Sequence, residues 1–221
     1  FKVSKTLGRE VLLDNSIFEL GEAFDTKKFV KYVEELEPSY YVVPDVLEDS
    51  HKTIASFHKF CIEYDDLPGL KIGVVQGKTY QELVDCYKYM AANADYIAIS
   101  FDYSWYQTIT DSNVDPATKF YTLEKQCKGR QRLIGMLQED NIWNYNKPHH
   151  LLGCSLASEF KHYKWERSIR SLDTSNPVVA GILNKRYYKG IGLLNKPSIL
   201  LADLITSELN KEQEKDILYN V

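Results

Sequence analysis

Five short apolar runs end in polar side chains that can do chemistry. Asp14 closes the run 10–14, Asp45 the run 40–45, Gln76 the run 71–76, Ser100 the run 95–100 and Asp173 the run 168–173. If these runs are parallel strands, all their ends point to one rim, and three carboxyls and an amide converge above an apolar floor. Two facing carboxylates have their pKa values split by repulsion and burial, so one can attack while the other carries a proton. That pairing suits substitution at an anomeric carbon, where the transition state has oxocarbenium character. An Asp nucleophile can hold the sugar covalently while one leaving group exchanges for another; the same pair can equally deliver the sugar to water. Each polar strand end can instead cap a following helix. Asp14 and Asp173 fit that use less well. Asp14 leads through Asn15-Ser16-Ile17-Phe18-Glu19 to Gly21 and not directly into a helix, and Asp173 is followed by better-placed caps at Thr174, Ser175 and Asn176.

The elements that must position these groups can be traced along the chain. With a sixth run at 150–154, all the candidate strands are short, rich in Val, Ile, Leu or Tyr, and nearly continuously apolar. That is the pattern of a parallel strand covered on both faces. Between them lie helical patterns. Thr26 precedes Phe29, Val30, Tyr32, Val33 and Leu36, with Pro38 closing the segment. Asp49 or Ser50 caps a helix through Ile54, Phe57, Phe60 and Cys61, and Thr79 with Glu82 forms a capping box. Further helices are expected over 119–139 and 155–163, with the last over 197–209. This alternation predicts an α/β fold with a parallel sheet, in one domain over 1–221. An open doubly wound sheet and a closed (β/α)8 TIM-type barrel both fit. No GxGxxG or GxxxxGK[ST] loop follows a strand, which weighs against the nucleotide-binding open sheets. Six strands fall short of the roughly eight of a full barrel. The barrel is therefore reduced, or incomplete at its N-terminus, or hides weak strands. The segment 101–118 leaves a strand end where a barrel carries active-site loops. Its Phe101, Tyr103, Trp105 and Tyr106 can stack on an extruded base or pack onto the rim.

Composition sets outer bounds. The chain has 221 residues, 44% hydrophobic and 26% charged, which excludes a disordered or fibrous protein. No apolar run approaches the roughly 20 residues of a membrane span. The start has no apolar signal core and no Met, so it reads as trimmed. A net charge of −4 excludes a generally basic coat but not a local patch. The stretch 161–196 supplies one: Lys161, Lys164, Arg167, Arg170, Lys185, Arg186, Lys189 and Lys196 stand against Glu166 and Asp173. It reads as a phosphate-contacting face or a solvated helix face. The four cysteines, Cys61, Cys86, Cys127 and Cys154, have no metal-ligand spacing and suggest reduced thiols in a cytoplasm. His51 and His58 lack a third ligand, so no metal is expected. His149-His150 is placed before a strand, at the rim opposite the polar ends, as a structural pair.

In order along the chain, Leu12-Leu13-Asp14-Asn15-Ser16-Ile17-Phe18-Glu19, Val74-Val75-Gln76-Gly77 followed by Tyr80 to Leu83, Ala94 to Ile99, His150-Leu151-Leu152-Gly153, and Leu172-Asp173 with Pro177 form an ordered set. That set resembles the tRNA-guanine transglycosylase family, including the phage and bacterial relatives that insert 7-deazaguanines into DNA. The resemblance covers about residues 10–180. It implies a (β/α)8 barrel that exchanges guanine in a polynucleotide for a 7-deazaguanine without cutting the strand. By resemblance, Asp173 is the nucleophile on C1′ and Asp14 the general acid/base. Asp45 reads the guanine edge, Gln76 and Gly77 belong to the base-recognition element, and Phe18 and Leu152 sandwich the base. Three departures stand out. Ser100-Phe101 replaces the family's Gly-Gly, Asn15-Ser16-Ile17 replaces its Ser-Gly-Gly step, and the zinc-binding cysteines of the tRNA enzymes are missing.

These departures favour DNA over tRNA and a reduced, phage-type enzyme acting in a host cytoplasm. No metal or organic cofactor is expected, because the leaving and entering bases are of similar energy. Lys185, Arg186 and Lys189 are the expected backbone contacts. Two rivals share the fold: an N-glycoside hydrolase, and a catalytically silent barrel serving as a nucleic-acid-binding subunit.

Overall fold

The β-branched and aromatic runs form strands where the sequence places them. The computed structural model describes residues 2–15, 25–109, 121–187, 201–204 and 208–220. Its strands are β1 (Leu12–Leu13), β2 (Tyr40–Val42), β3 (Leu70–Val75), β4 (Tyr96–Ile99), β5 (His149–Leu151) and β6 (Ile169–Leu172). They pair in chain order, and every pair is parallel. The sheet curls into a half-barrel, so all six C-terminal ends share one rim.

Helices cross between the strands, and three of them start at side-chain caps the sequence supplies. They are α1 (Lys2–Thr6), α2 (Thr26–Leu36), α3 (Ser50–Glu63), α4 (Tyr80–Asn93), α5 (Tyr106–Ile109), α6 (Tyr121–Glu139), α7 (Ala157–His162), α8 (Asn176–Ile182), α9 (Leu201–Leu204) and α10 (Lys211–Asn220). Asp25 accepts from the Lys28 amide and Asp49 from the Lys52 amide, while Thr79 and Glu82 complete the capping box of α4. Among the described residues no helix is long and apolar enough to cross a membrane.

Strand alternation divides the sheet into two faces. Tyr41, Val75, Ile97, Ile99 and Leu151 are fully buried against the helices, in one core with Phe29, Phe57, Leu83 and Tyr87. Gly73 lies on that face, where a side chain would run into Met90, so its bareness lets α4 settle close to β3. The alternate residues Val42, Ile72, Val74, Tyr96 and Ala98 form a second apolar cluster on the concave face.

The full eight-stranded ring is corrected and the reduced reading holds: among the described residues six strands make half a barrel and no further strand joins the sheet. The position of the last helix is corrected too. After β6 the chain turns into α8, which packs against α10. The last helix is α10, not 197–209, within which only the short α9 is described. Its sequence is too polar for an apolar stripe to reveal it. Asn210 starts α10 by accepting from the Glu212 and Gln213 amides, and buried Asp216 ties it back to Arg186 at 2.6 Å. Contact with α8 depends on Gly181, where a Cβ would lie 2.4 Å from the Ile217 backbone nitrogen. Gly181→Val is expected to cost roughly 1–3 kcal/mol, the usual penalty for overpacking, with a lower urea midpoint as the readout.

Candidate functional site

A concavity of about 1200 Å³ follows the inner face of the half-barrel. Its apolar floor includes Leu12, Val42, Val74 and Leu152, and its rim carries Asp14, Asn15, Asp45, Gln76, Ser100 and Asp173. The polar strand ends that stood out in the sequence therefore meet around one cavity, as parallel pairing requires.

On one side lies a buried carboxylate–amide cluster. The carboxyl of Asp45, which is 4% exposed, accepts 2.7 Å hydrogen bonds from Asn15 Nδ2 and from Gln76 Nε2. Asn15 Nδ2 also donates to the Val43 carbonyl, and Gln76 Oε1 accepts from the Glu48 amide at 2.9 Å. Both amides are thus fixed in orientation. Burial pushes the Asp45 pKa up; the amide hydrogen bonds of Asn15 and Gln76 oppose this, and the neighbouring charge of Asp14 adds to it. An ionised carboxylate offers about four lone-pair directions. Two are taken by Asn15 and Gln76 and a third meets the amide of Asp45 itself, which leaves one to accept from a ligand donor. Asp14 stands exposed beside this cluster on the cavity wall.

On the other side, Asp173 follows β6 with its side chain 57% exposed. Oδ1 accepts from the Gly153 amide at 2.8 Å and lies 3.2 Å from His150 Nε2. Burial raises the Asp173 pKa, but these two hydrogen bonds and the charges of His150 and Arg130 outweigh it and hold the carboxyl below its usual range. An ionised carboxylate only accepts, so His150 presents a proton on Nε2. Nδ1 lies 2.8 Å from Ser171 Oγ, and Ser171 Oγ lies 2.9 Å from the Tyr96 hydroxyl. A hydrogen-bonded chain links Tyr96, Ser171, His150 and Asp173. Gly153 has φ +64°, which turns its amide toward Asp173 in a conformation that favours glycine.

Behind this side sits Arg130, fully buried on α6. It forms a two-pronged ion pair with Glu159 at 2.8 and 2.9 Å and donates to the Leu152 carbonyl at 2.6 Å.

His150 corrects the sequence reading. The sequence puts it at the opposite rim as a structural residue, but it lies within β5, on the concave face, and reaches the nucleophile candidate. The sequence reading starts the strand one residue late, and β5 pairs with β6 through a register shift between His149 and His150. His149, on the helix side, is indeed structural. It stacks on Trp143 at 3.8 Å and meets the Tyr87 hydroxyl at 2.9 Å.

The remaining candidates are placed as follows. Leu152 lines the cavity floor. Gly77 does not line the cavity; a Cβ there would lie 2.8 Å from that of Glu82, so its smallness serves the start of α4. Lys185 is exposed, and Arg186 is held by Asp216 and lies over the Tyr219 ring at 5.3 Å. Arg186 thus anchors α10, and neither residue lines the cavity. Phe18 and Lys189 lie outside the described residues. The aromatic loop packs onto the rim: Tyr103 and Tyr106 are fully buried, Trp105 stacks on Tyr80, and the Tyr103 hydroxyl donates to the Val75 carbonyl.

Sequence reasoning missed Asn15, His150 and the Arg130–Glu159 pair. Arg130 did leave a signal, since it falls on the apolar stripe of Cys127, Leu133, Ile134 and Leu137, where a cation must find a buried partner. No protein-family model matches the sequence, and no curated protein matches it.

His150→Phe removes a donor from Asp173, so the Asp173 pKa is expected to rise, as read by carboxyl NMR titration. Asp173, with its folded pKa depressed, contributes stability above the ordinary carboxylate range and loses it as pH falls through the folded value. In His150→Phe the acid loss of stability moves to higher pH.

Proposed function

We propose that the protein exchanges a guanine base in a polynucleotide, DNA in preference to tRNA, for a 7-deazaguanine base. The observation that carries this reading is the shared cavity of Asp14 and Asp173 with the Asp45–Asn15–Gln76 cluster beside it. The ordered resemblance to the transglycosylase family supplies the chemistry. Asp173, kept ionised by Gly153 and His150, attacks C1′ of the target nucleoside. The C1′–N9 bond breaks, and guanine leaves with the electron pair while Asp14 delivers a proton to it. The 7-deazaguanine then gives its N9 proton to Asp14 and attacks C1′, the ester bond to Asp173 breaks, and configuration is retained.

The Asp45 carboxyl faces the Watson–Crick edge of the base, where one N–H donor can meet the direction left open on it. Leu152 covers one face of the ring. The extruded base costs a few kcal/mol to unstack, and the apolar floor with Asp45 offsets part of that.

Incubating DNA with labelled guanine and analysing its nucleosides by mass spectrometry tests the reading. Incorporated label is the expected result. Release of free guanine without incorporation would assign a hydrolase, and no change in the DNA would remove the enzyme reading. Asp173→Asn is expected to lower incorporation by roughly 10⁴-fold or more, as loss of a nucleophile does, and to abolish covalent trapping on DNA.

A further inference from the structure

The turn before β6 and the strand itself carry an exposed basic and aromatic surface that the exchange chemistry does not use. Trp165 is 84% exposed, and Lys164 Nζ lies 5.0 Å over its ring. Lys161, Arg167 and Arg170 are also exposed, and among the described residues none of these cations joins an ion pair. The one carboxylate in the segment, Glu166, is occupied by Gln138 Nε2 at 2.8 Å and Ser168 Oγ at 2.7 Å. Four cations, Lys161, Lys164, Arg167 and Arg170, therefore stand against one carboxylate on this surface. An indole this exposed adds little to the core, and one with a cation on its ring suits a ligand that is both flat and anionic.

β6 is also the last strand of the sheet, paired only with β5 among the described residues. Its Arg170 and Ser171 are exposed, and Arg170 lines the cavity. The strand thus leads from Trp165 and Arg167 at one end, past Arg170, to Asp173 at the other. The strand Ile169–Leu172 spans about 10 Å at ~3.3 Å per residue, the length of about three stacked nucleotides.

We infer that this edge is a track for single-stranded polynucleotide, with an unpaired base stacked on Trp165 and phosphates on Lys164, Arg167 and Arg170. A duplex offers no unpaired base face to the indole except at its ends, so the committed occupant is a single strand. The destination of the strand, Asp173, rests on the exchange reading above; the surface itself rests on charge and exposure alone.

The test is binding of a thymidine 12-mer, which contains no guanine and so cannot be exchanged. Intrinsic fluorescence is expected to be quenched on binding, with most of the quench lost in Trp165→Phe. Trp165→Ala is expected to weaken binding about tenfold, in the range for loss of one stacked base. The double variant Arg167→Glu, Arg170→Glu is expected to flatten the slope of log affinity against log salt by about 1.4. Affinity and slope that survive both variants would overturn the proposal, as would absence of binding, or poly-glutamate binding with the same dependence on Trp165. Failure of the two readings is separable: thymidine binding that needs Trp165 without base exchange keeps the track and removes the enzyme, and exchange unaffected by Trp165→Ala does the reverse.

Discussion

The guanidinium of Arg130 is the contact on which the nucleophile side of the cavity depends. It is fully buried, which is costly for a charge, and the two-pronged pair with Glu159 offsets that cost only if the geometry is held. Its remaining donors go to the carbonyls of Leu152 and, more weakly, Ile99, and to Cys154 Sγ. The tips of β4 and β5 are thereby fixed from behind. The turn Leu152-Gly153-Cys154 inherits that position, and with it the amide that holds Asp173. Tyr163 donates to Glu159 at 3.0 Å and completes the pair. A charge placed in the core thus sets the backbone of the rim.

The opposite side of the cavity is built from a different principle. There a buried carboxylate is stabilised by neutral amides, and the amides are oriented by backbone groups of their own. Asp45 and Asp173 consequently sit in opposite electrostatic environments on one rim: burial dominates at Asp45, and donors dominate at Asp173. Two acids of the same type are differentiated by their surroundings alone. The open half-barrel leaves the floor between them broad rather than closed by a ring of strands.

Much of this was legible in the sequence because it follows from period and polarity. Each of the six apolar runs became a strand, and their polar ends met as parallel pairing demands. The caps at Asp49 and Thr79 announced α3 and α4 directly. What was not legible depends on distance along the chain. His150 needed the exact register of β5 on β6, which a bulge shifts. The Arg130–Glu159 pair joins two helices 29 residues apart. Asn15 looked like a spacer after Asp14, yet strand geometry turns it inward onto Asp45. The ion pair of Arg186 with Asp216 was not legible either, because its partner lies 30 residues away. Closure of the barrel could not be settled by pattern either, because a half-barrel and a full one share the same repeating unit.

Gly153 carries a wider implication. The amide that steadies Asp173 belongs to the main chain, and the position is left-handed, with Phe101 only 3.3 Å from where a side chain would begin. The acidity of the nucleophile candidate therefore has one anchor that amino-acid replacement can erase and one that it cannot reach without moving the chain. Such a residue is open to tuning through its histidine but protected against complete loss of its setting, so drift at position 150 would adjust the acid rather than abolish it.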